Sequence, residues 1–361
     1  MNKLEWKEFF IGGKEGVFEV NASQCEIDEI NIKNKIGKTP YITRSSKNNG
    51  IKDFISDFQG ENIVANDGNA IAIGLDTQTV TYQENAFFTG QNIQVLRHNN
   101  LNKYNAFYII PLLEKQLKFL EWGGNGATLE RLNRMKIMFP IKNNEIDWEY
   151  MSNKVKELFN NKFKSLLNSL NNDLDEYNAL IIQCQNKVDF NESYQEYFMD
   201  EIVNIKSGTR LTRANMIKGN TPFVGATERN NGITNYVSNI NKSLDRNILG
   251  VNYNGSVCEA FYHPYFTLFS DDVKRISFKN KEYNNEQSLL YLATAIRKQK
   301  IAYSYGYKFK SGRMKRQKII LPTKENNELD IEYMRFKVLS IQKKKTVEKI
   351  KYIESMLNEI K

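Results

Sequence analysis

The chain repeats itself at long range. Gly37-Lys38-Thr39-Pro40-Tyr41 leads to Asn48-Asn49-Gly50-Ile51, and Gly219-Asn220-Thr221-Pro222-Phe223 leads to Asn230-Asn231-Gly232-Ile233. Both matches are 182 residues apart. The same register links Gly124 to Gly306, Arg131 to Arg313, Lys136 to Lys318 and Pro140 to Pro322. One residue out of that phase, Ile146-Asp147-Trp148-Glu149-Tyr150-Met151 answers Leu329-Asp330-Ile331-Glu332-Tyr333-Met334. A period this long means domain duplication and not a solenoid of short repeats. The 361 residues therefore divide into two similar units of ordinary domain size. Two similar surfaces on one chain suit a two-part linear target better than a single catalytic pocket.

Charge narrows the partner. The formal net charge is +9, which favours polyanions, either nucleic acid or an anionic membrane. Lysine-rich composition also arises without such a partner, so the location of the charge carries more weight than its sum. No segment approaches the ~18 apolar residues of a membrane span. Met1-Asn2-Lys3-Leu4-Glu5-Trp6-Lys7-Glu8 has no apolar signal-peptide core. Cys25, Cys184 and Cys258 are scattered and odd in number, which fits neither a disulfide framework nor a Cys/His metal set. A cytoplasmic protein with free thiols, and no membrane partner, is the expectation.

Residues 4–143 read as a mostly β unit. Ile63-Val64-Ala65 and Ala70-Ile71-Ala72-Ile73 flank Asn66-Asp67-Gly68-Asn69, a hairpin-like string. Ile248-Leu249-Gly250-Val251 and Ser256-Val257-Cys258 are their expected counterparts around Asn252-Tyr253-Asn254-Gly255. Helices are expected over residues 103–120 and 287–300, which are rich in good helix formers. From Asp147 the pattern changes. Met151, Val155, Leu158, Phe163, Leu166, Leu170, Leu174, Tyr177 and Ile181 recur at steps of mostly three and four, which predicts a helix of about eleven turns with a heptad-like seam. The second copy offers Ile331, Met334, Val338 and Ile341, then Lys343-Lys344-Lys345, then Val347, Ile350, Ile353, Leu357 and Ile360. The lysine break reads as a stutter. Two narrow apolar stripes are covered most simply by pairing the helices, and antiparallel pairing would put one unit at each end of a stalk. The expected fold is α+β, with β-rich units at 1–143 and 188–326 and spacer helices at 144–187 and 327–361.

Catalytic signatures are missing. Gly123-Gly124-Asn125-Gly126 lacks the lysine and hydroxyl of a phosphate loop and reads as a turn. No Asn/Asp-Pro-Pro-Tyr/Phe string and no dinucleotide turn occurs. His98 and His263, the only histidines, read as core or turn residues, and no paired-carboxylate signature supports proton transfer.

The positive signals are basic and polar. Tyr303-Ser304-Tyr305-Gly306-Tyr307-Lys308-Phe309-Lys310 alternates aromatics as a strand with one aromatic face would. With Arg313, Lys315, Arg316 and Lys318 following, six of eleven residues from 308 to 318 are basic, the composition of a phosphate-tracking loop. Arg131, Arg134 and Lys136 stand in the same register of the first copy. Lys308, Lys310, Arg313 and Lys315 are thus expected to make sequence-independent phosphate contacts. The other shared feature is the polar segment Thr43-Arg44-Ser45-Ser46-Lys47-Asn48-Asn49 against Gly225-Ala226-Thr227-Glu228-Arg229-Asn230-Asn231. Arg reads guanine and Asn reads adenine in the major groove, so Arg44, Ser45, Ser46 and Asn48 in one copy, and Thr227, Arg229 and Asn230 in the other, are the candidate base readers. The Asn-Asn-Gly end is also good turn chemistry.

With these residues in view, the chain resembles the DNA-specificity (S) subunits of type I restriction–modification systems, and the related type IIB (BcgI-like) specificity subunits. The resemblance covers nearly the whole chain. It is carried by Trp6-Lys7-Glu8-Phe9-Phe10-Ile11 and Phe198-Met199-Asp200-Glu201-Ile202-Val203, by the run Thr221 to Gly232, by Tyr253-Asn254-Gly255-Ser256-Val257, by Pro140 and Pro322, and by the long helices. The resemblance implies two target-recognition domains joined by a pair of long antiparallel helices, a coiled-coil spacer. Each domain would read half of a split, asymmetric double-stranded DNA target. The helices would set the gap and dock two modification (methyltransferase) subunits, joined in type I systems by restriction (motor-nuclease) subunits. S-adenosylmethionine would bind those partners, with no cofactor on this chain. The first copy departs from the pattern: residues 24–35 look like an insertion of about eleven residues, and Thr43-Arg44-Ser45-Ser46 replaces Gly-Ala-Thr. Two other readings stay open at this point. One is a self-contained restriction or modification enzyme with an unrecognised active site. The other is a duplicated-domain RNA-binding or scaffold protein.

Overall fold

A computed structural model describes residues 4–33, 35–120, 126–187, 193–303 and 306–360. Contacts divide the chain into two compact units: Met1–Ser165 with Met356–Lys361, and Leu166–Ser355. The division passes through both long helices, not at their ends.

Unit 1 is built on a four-stranded antiparallel sheet. Its strands, in spatial order, are Glu19–Ala22, Ile93–Arg97, Ala70–Gly74 and Val80–Gln83. Ala70–Gly74 is buried at every position, as a continuous apolar run in a central strand should be. A second sheet carries Ile51–Ile55, Thr39–Ile42 and Phe88–Thr89, and a third pairs Glu5–Phe10 with Lys136–Lys142 and Glu145–Ile146. Helix α1, Lys103–Leu117, lies over the sheet. Asn102 starts it: its side-chain oxygen accepts from the amides of Tyr104 and Asn105, while the Asn105 side chain accepts from Asn102 N–H. Ile71, Ile73, Leu96, Ile109, Leu113 and Phe139 share one core with Met151. The short helix α2, Leu129–Arg134, precedes strand Lys136–Lys142, and α3, Trp148–Gln185, follows the β region. His98 stacks on Trp148 with ring centroids 4.4 Å apart, so it is a packing residue.

Unit 2 repeats the plan. Val203–Ser207, Val273–Phe278, Ile248–Asn252 and Ala260–His263 form a sheet in the same spatial order. Ile233–Val237, Lys218–Val224 and Leu268–Phe269 form the second, again with one parallel pair. Tyr194–Phe198 pairs with Lys318–Pro322. The helices are α4 (Met199–Ile202), α5 (Glu286–Arg297), α6 (Ser311–Arg316) and α7 (Ile331–Ile360). Asn285 caps α5 through the Ser288 amide as Asn102 caps α1. Asp147 and Asp330 accept from the Tyr150 and Tyr333 amides at the starts of α3 and α7. At the far end of α3, Ile181 and Cys184 pack with Leu339 and Phe336 near the start of α7, as in an antiparallel pair.

The structure corrects several expectations. Asn66–Asn69 turns no hairpin: Asn66 bridges Phe87, and Ala70–Gly74 pairs instead with Val80–Gln83. Its counterpart is Ile248–Asn252, which pairs with Ala260–His263, so Ser256-Val257-Cys258 lies in the connecting loop. Trp6 answers Tyr194, not Phe198: Phe10 faces Lys136 and Phe198 faces Lys318, an offset of 188. Val20 and Ile205 face equivalent residues at an offset of 185, and Thr39 and Thr221 stand at 182. Ahead of Thr39, the extra length of copy one is thus two insertions of three residues in separate loops, not one of eleven at 24–35. In the helices, Leu158, Leu166 and Ile341 are exposed and leave the seam. The buried line of α7 runs Leu339, Thr346, Ile350, Ile353 and Ile360, which keeps heptad phase through Lys343–Lys345 without a stutter.

Candidate nucleic-acid interface

The polar segments are the loops of two β-hairpins, 43–50 between Thr39–Ile42 and Ile51–Ile55, and 225–232 between Lys218–Val224 and Ile233–Val237. Their backbones are bonded alike. Thr43 N–H donates to Gly50 O, Ser45 N–H to Thr43 O and Gly50 N–H to Lys47 O, at 2.9, 2.7 and 2.9 Å. Gly225, Thr227 and Gly232 make the same three bonds to Gly232, Gly225 and Arg229, each at 2.9 Å. Ser45 Oγ accepts from Lys47 N–H, and Thr227 Oγ1 from Arg229 N–H. These two hydroxyl oxygens therefore brace the loop from within.

Each loop ends in two left-handed asparagines, Asn48 and Asn49 at φ of 51° and 53°, Asn230 and Asn231 at 50° and 54°. Asparagine tolerates this region better than other side chains. The second asparagine ties the loop to the main sheet: Asn49 Nδ2 donates to Tyr82 O and Asn231 Nδ2 to Tyr262 O. Tyr82 and Tyr262 in turn donate to Asn69 and Asn247. The first asparagine, Asn48 or Asn230, is exposed at the tip.

Arg229 corresponds to Lys47, which was not among the sequence candidates although the offset of 182 points to it. Arg44 corresponds to Ala226 and forms an ion pair with Asp76 beside its own loop. Ala226 packs under Gly255, where φ is 56° and an added Cβ would meet Ala226 O at 2.3 Å. Ser46 is exposed, and its counterpart Glu228 lies 3.9 Å from Lys300. Lys300 also holds Glu259 at 2.6 Å, and that hydrogen bond raises its pKa.

The basic segments centre on the short helices α2 and α6. Residues 306–310 lead into α6, and Ser304 and Tyr305 of the expected aromatic strand lie outside the described residues, as do Gly123–Asn125. Tyr303 and Tyr307 stack at 5.7 Å, while Phe309 is fully buried. Arg313 lies over the Tyr307 ring at 3.6 Å and donates to Lys308 O at 2.8 Å. Arg131 makes the same bond to Gly126 O at 3.3 Å. These two arginines hold their segments in shape while facing a half-open surface. Lys310 and Arg316 are exposed, Lys315 lies 3.7 Å from Asp200, and Arg134 pairs with Glu130 at 2.7 Å.

Loop and basic segment adjoin within each unit. In unit 1, Leu75 O accepts from Ala127 N–H at 2.8 Å, next to the Asp76 that holds Arg44. In unit 2, Asn252 Nδ2 donates to Thr227 O and Ser256 N–H to Ala226 O, while Val257 and Cys258 share a core with Phe309. The result is a surface of guanidinium, amide, hydroxyl and ammonium groups. The three cysteines are buried and free, and burial lifts Cys258 to about 12. No group of three His, Cys, Asp or Glu side chains suited to a metal occurs among the described residues, and no described helix is long and apolar enough to cross a membrane.

Duplicated β-rich units with matched hairpin loops and long helices define a modular protein built from two copies of one domain. The model for the type I restriction modification DNA specificity domain matches residues 3–186 and again 191–352, and the chain belongs to that family. It is a specificity subunit of a restriction–modification system. It is 40% identical over 344 residues to the specificity subunit S.BcgI of a type II restriction enzyme from Heyndrickxia coagulans, across 95% of this chain and 96% of that one. Its fold is similar to the S subunit of a type I restriction–modification system from M. genitalium, with TM-score 0.55, 15% identity, and coverage of 100% of this chain and 96% of that one.

Proposed function

We propose that the chain reads a split, asymmetric double-stranded DNA target, one half with each unit, for a complex whose chemistry lies on other subunits. Two modification subunits would dock on it and bring S-adenosylmethionine and methyl transfer. Cleavage would belong to partners as well, on the modification chain or on separate motor-nuclease subunits.

The observation that carries this reading is the pair of hairpin loops. Their backbone hydrogen bonds coincide, yet none of the five residues 43–47 matches its counterpart among 225–229. A shared scaffold with divergent side chains is what two readers of different base sequences require. Lys47 and Asn48 would reach bases in one half-site, and Arg229 and Asn230 in the other, through the hydrogen-bonding edges of the major groove. Ser45 and Thr227 would set loop shape, with Ser46 beside the tip. Arg44 would brace its loop through Asp76. Arg131, Arg134, Lys308, Lys310, Arg313 and Lys315 would face phosphates, which position the protein without reading sequence.

Sequencing the sites methylated by the assembled complex tests this. Arg229→Ala is expected to weaken selection by about 1–3 kcal/mol at one position of one half-site. Lys47→Ala should act on the other half alone. Relaxation of both halves by either change would overturn the two-reader arrangement.

A further inference from the structure

Unit 2 has a groove of about 660 Å³ between α5, strand Lys318–Pro322 and the first turns of α7. Tyr291, Ile320 and Ile341 give it apolar walls, and Lys298, Lys318 and Lys337 line it beside one carboxylate, Glu196. Ile320 and Ile341 are 60% and 61% exposed, which is unusual for large aliphatic side chains placed side by side. Lys318 bonds Glu196 at 2.9 Å, so the lining keeps a positive excess.

The corresponding positions of unit 1 carry similar side chains. By strand register and helix caps, Tyr108, Met138 and Leu158 stand where Tyr291, Ile320 and Ile341 stand. Lys115, Lys136 and Lys154 replace the three lysines, and Glu8 replaces Glu196, with Lys136 again beside it at 3.9 Å. Met138 and Leu158 are 39% and 55% exposed. Seven of the thirteen lining positions carry the same residue in both units, whereas the five loop positions compared above share none. Exposed lysines on a helix and a strand are replaceable at little cost to folding. The fold alone therefore does not hold these positions alike while the loops diverge. A surface kept in duplicate meets the same partner twice.

We propose that this groove and the equivalent face of unit 1 are paired docking sites, each receiving an acidic, amphipathic helix of one modification subunit. Its apolar ridge would cover Tyr291, Ile320 and Ile341, or Tyr108, Met138 and Leu158, and its carboxylates would meet the lysines. This rests on the reading of the chain as a specificity subunit that docks two modification subunits, and adds the surface.

The chain is co-expressed with the modification subunit of its own restriction–modification system, and the complex is weighed by native mass spectrometry. Lys298→Glu with Ile320→Asp alters the groove, and Lys115→Glu with Met138→Asp the face of unit 1. Each pair should leave one modification subunit bound in place of two, with affinity at the altered site at least tenfold lower, and the combined variant should retain none. Lys298→Arg with Ile320→Val should keep both. Duplex binding by the chain alone should not change in any variant, which also reports that each is folded. Two subunits retained by the combined variant would overturn the docking sites and leave the DNA-reading role standing. Loss of duplex binding with partners retained would make these sites a phosphate surface instead. A wild-type chain that captures neither modification subunit nor duplex would overturn the reading beneath both.

Discussion

Asn49 and Asn231 show how one residue type serves a loop twice, by accepting a left-handed backbone and by donating to a neighbouring strand. That dual use leaves the adjacent Asn48 and Asn230 exposed and aimed outward from a rigid base. His263 is a residue of another kind. It is fully buried, neither ring nitrogen has a hydrogen-bond partner, and burial lowers its pKa from 6.5 to about 4. The unfolded chain takes up this proton near pH 6.5 and the folded chain only near 4. Between those values the unfolded state binds more protons, so stability falls as pH falls, by about 3 kcal/mol over the whole interval. His263→Phe should remove that loss and keep stability at neutral pH, since no hydrogen bond is broken. Urea unfolding at pH 7.5 and pH 5 measures it. An equal loss in variant and wild type would exclude His263 as the source.

Among the elements, the long helices have the plainest geometry. In α3 the buried and half-buried positions 170, 174, 177, 181 and 184 alternate by four and three, and in α7 positions 346, 350, 353, 357 and 360 do the same. Such a seam accepts whole heptads and rejects other insertions. A heptad adds about 10 Å of helix, close to the rise of three base pairs. If the helices set the spacing of the half-sites, one heptad inserted at matching layers in both should lengthen the unspecified gap by about three base pairs. Reader rotation around the duplex will lower affinity at the same time. Selection from duplexes with randomised gaps reads the result, and a gap indifferent to helix length would end the ruler idea.

At the scale of the whole chain, each compact unit includes the first turns of its following helix. Met151 is fully buried in the core of unit 1, and Trp148 packs on Phe18 and Phe139. Leu329, Ile331 and Met334 belong in the same way to the core of unit 2. A fragment ending at residue 143 should therefore be unstable, because loss of such side chains costs about 2–5 kcal/mol each, a large share of a domain's stability. A fragment ending at 165 should unfold cooperatively at a distinctly higher temperature. Equal melting of the two would show that the helix starts are dispensable.

Duplication, helix location and the Asn-Asn-Gly turns were legible in the chain itself. They depend on identical short strings, on spacing along one helix face, and on a local backbone preference, all of which are near neighbours in sequence. The remaining features depend on which groups meet across the fold. Arg44 resembles a reader by type, but Asp76, thirty-two residues away, holds it beside the loop, and the shared backbone bonds give the equivalent position to Lys47. Thr346 joins the seam where apolar counting placed Val347, and Ile341 leaves it, because burial follows helix phase and not hydrophobicity alone. The aromatic alternation at 303–310 suggests a strand, yet Phe309 is buried, Tyr303 stacks on Tyr307, and residues 306–310 lead into α6. Short loop insertions hid the register of the first strands, since only hydrogen-bond pairing shows which residues are opposite. Local chemistry thus laid out two copies of one plan, and long-range packing decided which side chains in each copy face outward to be used.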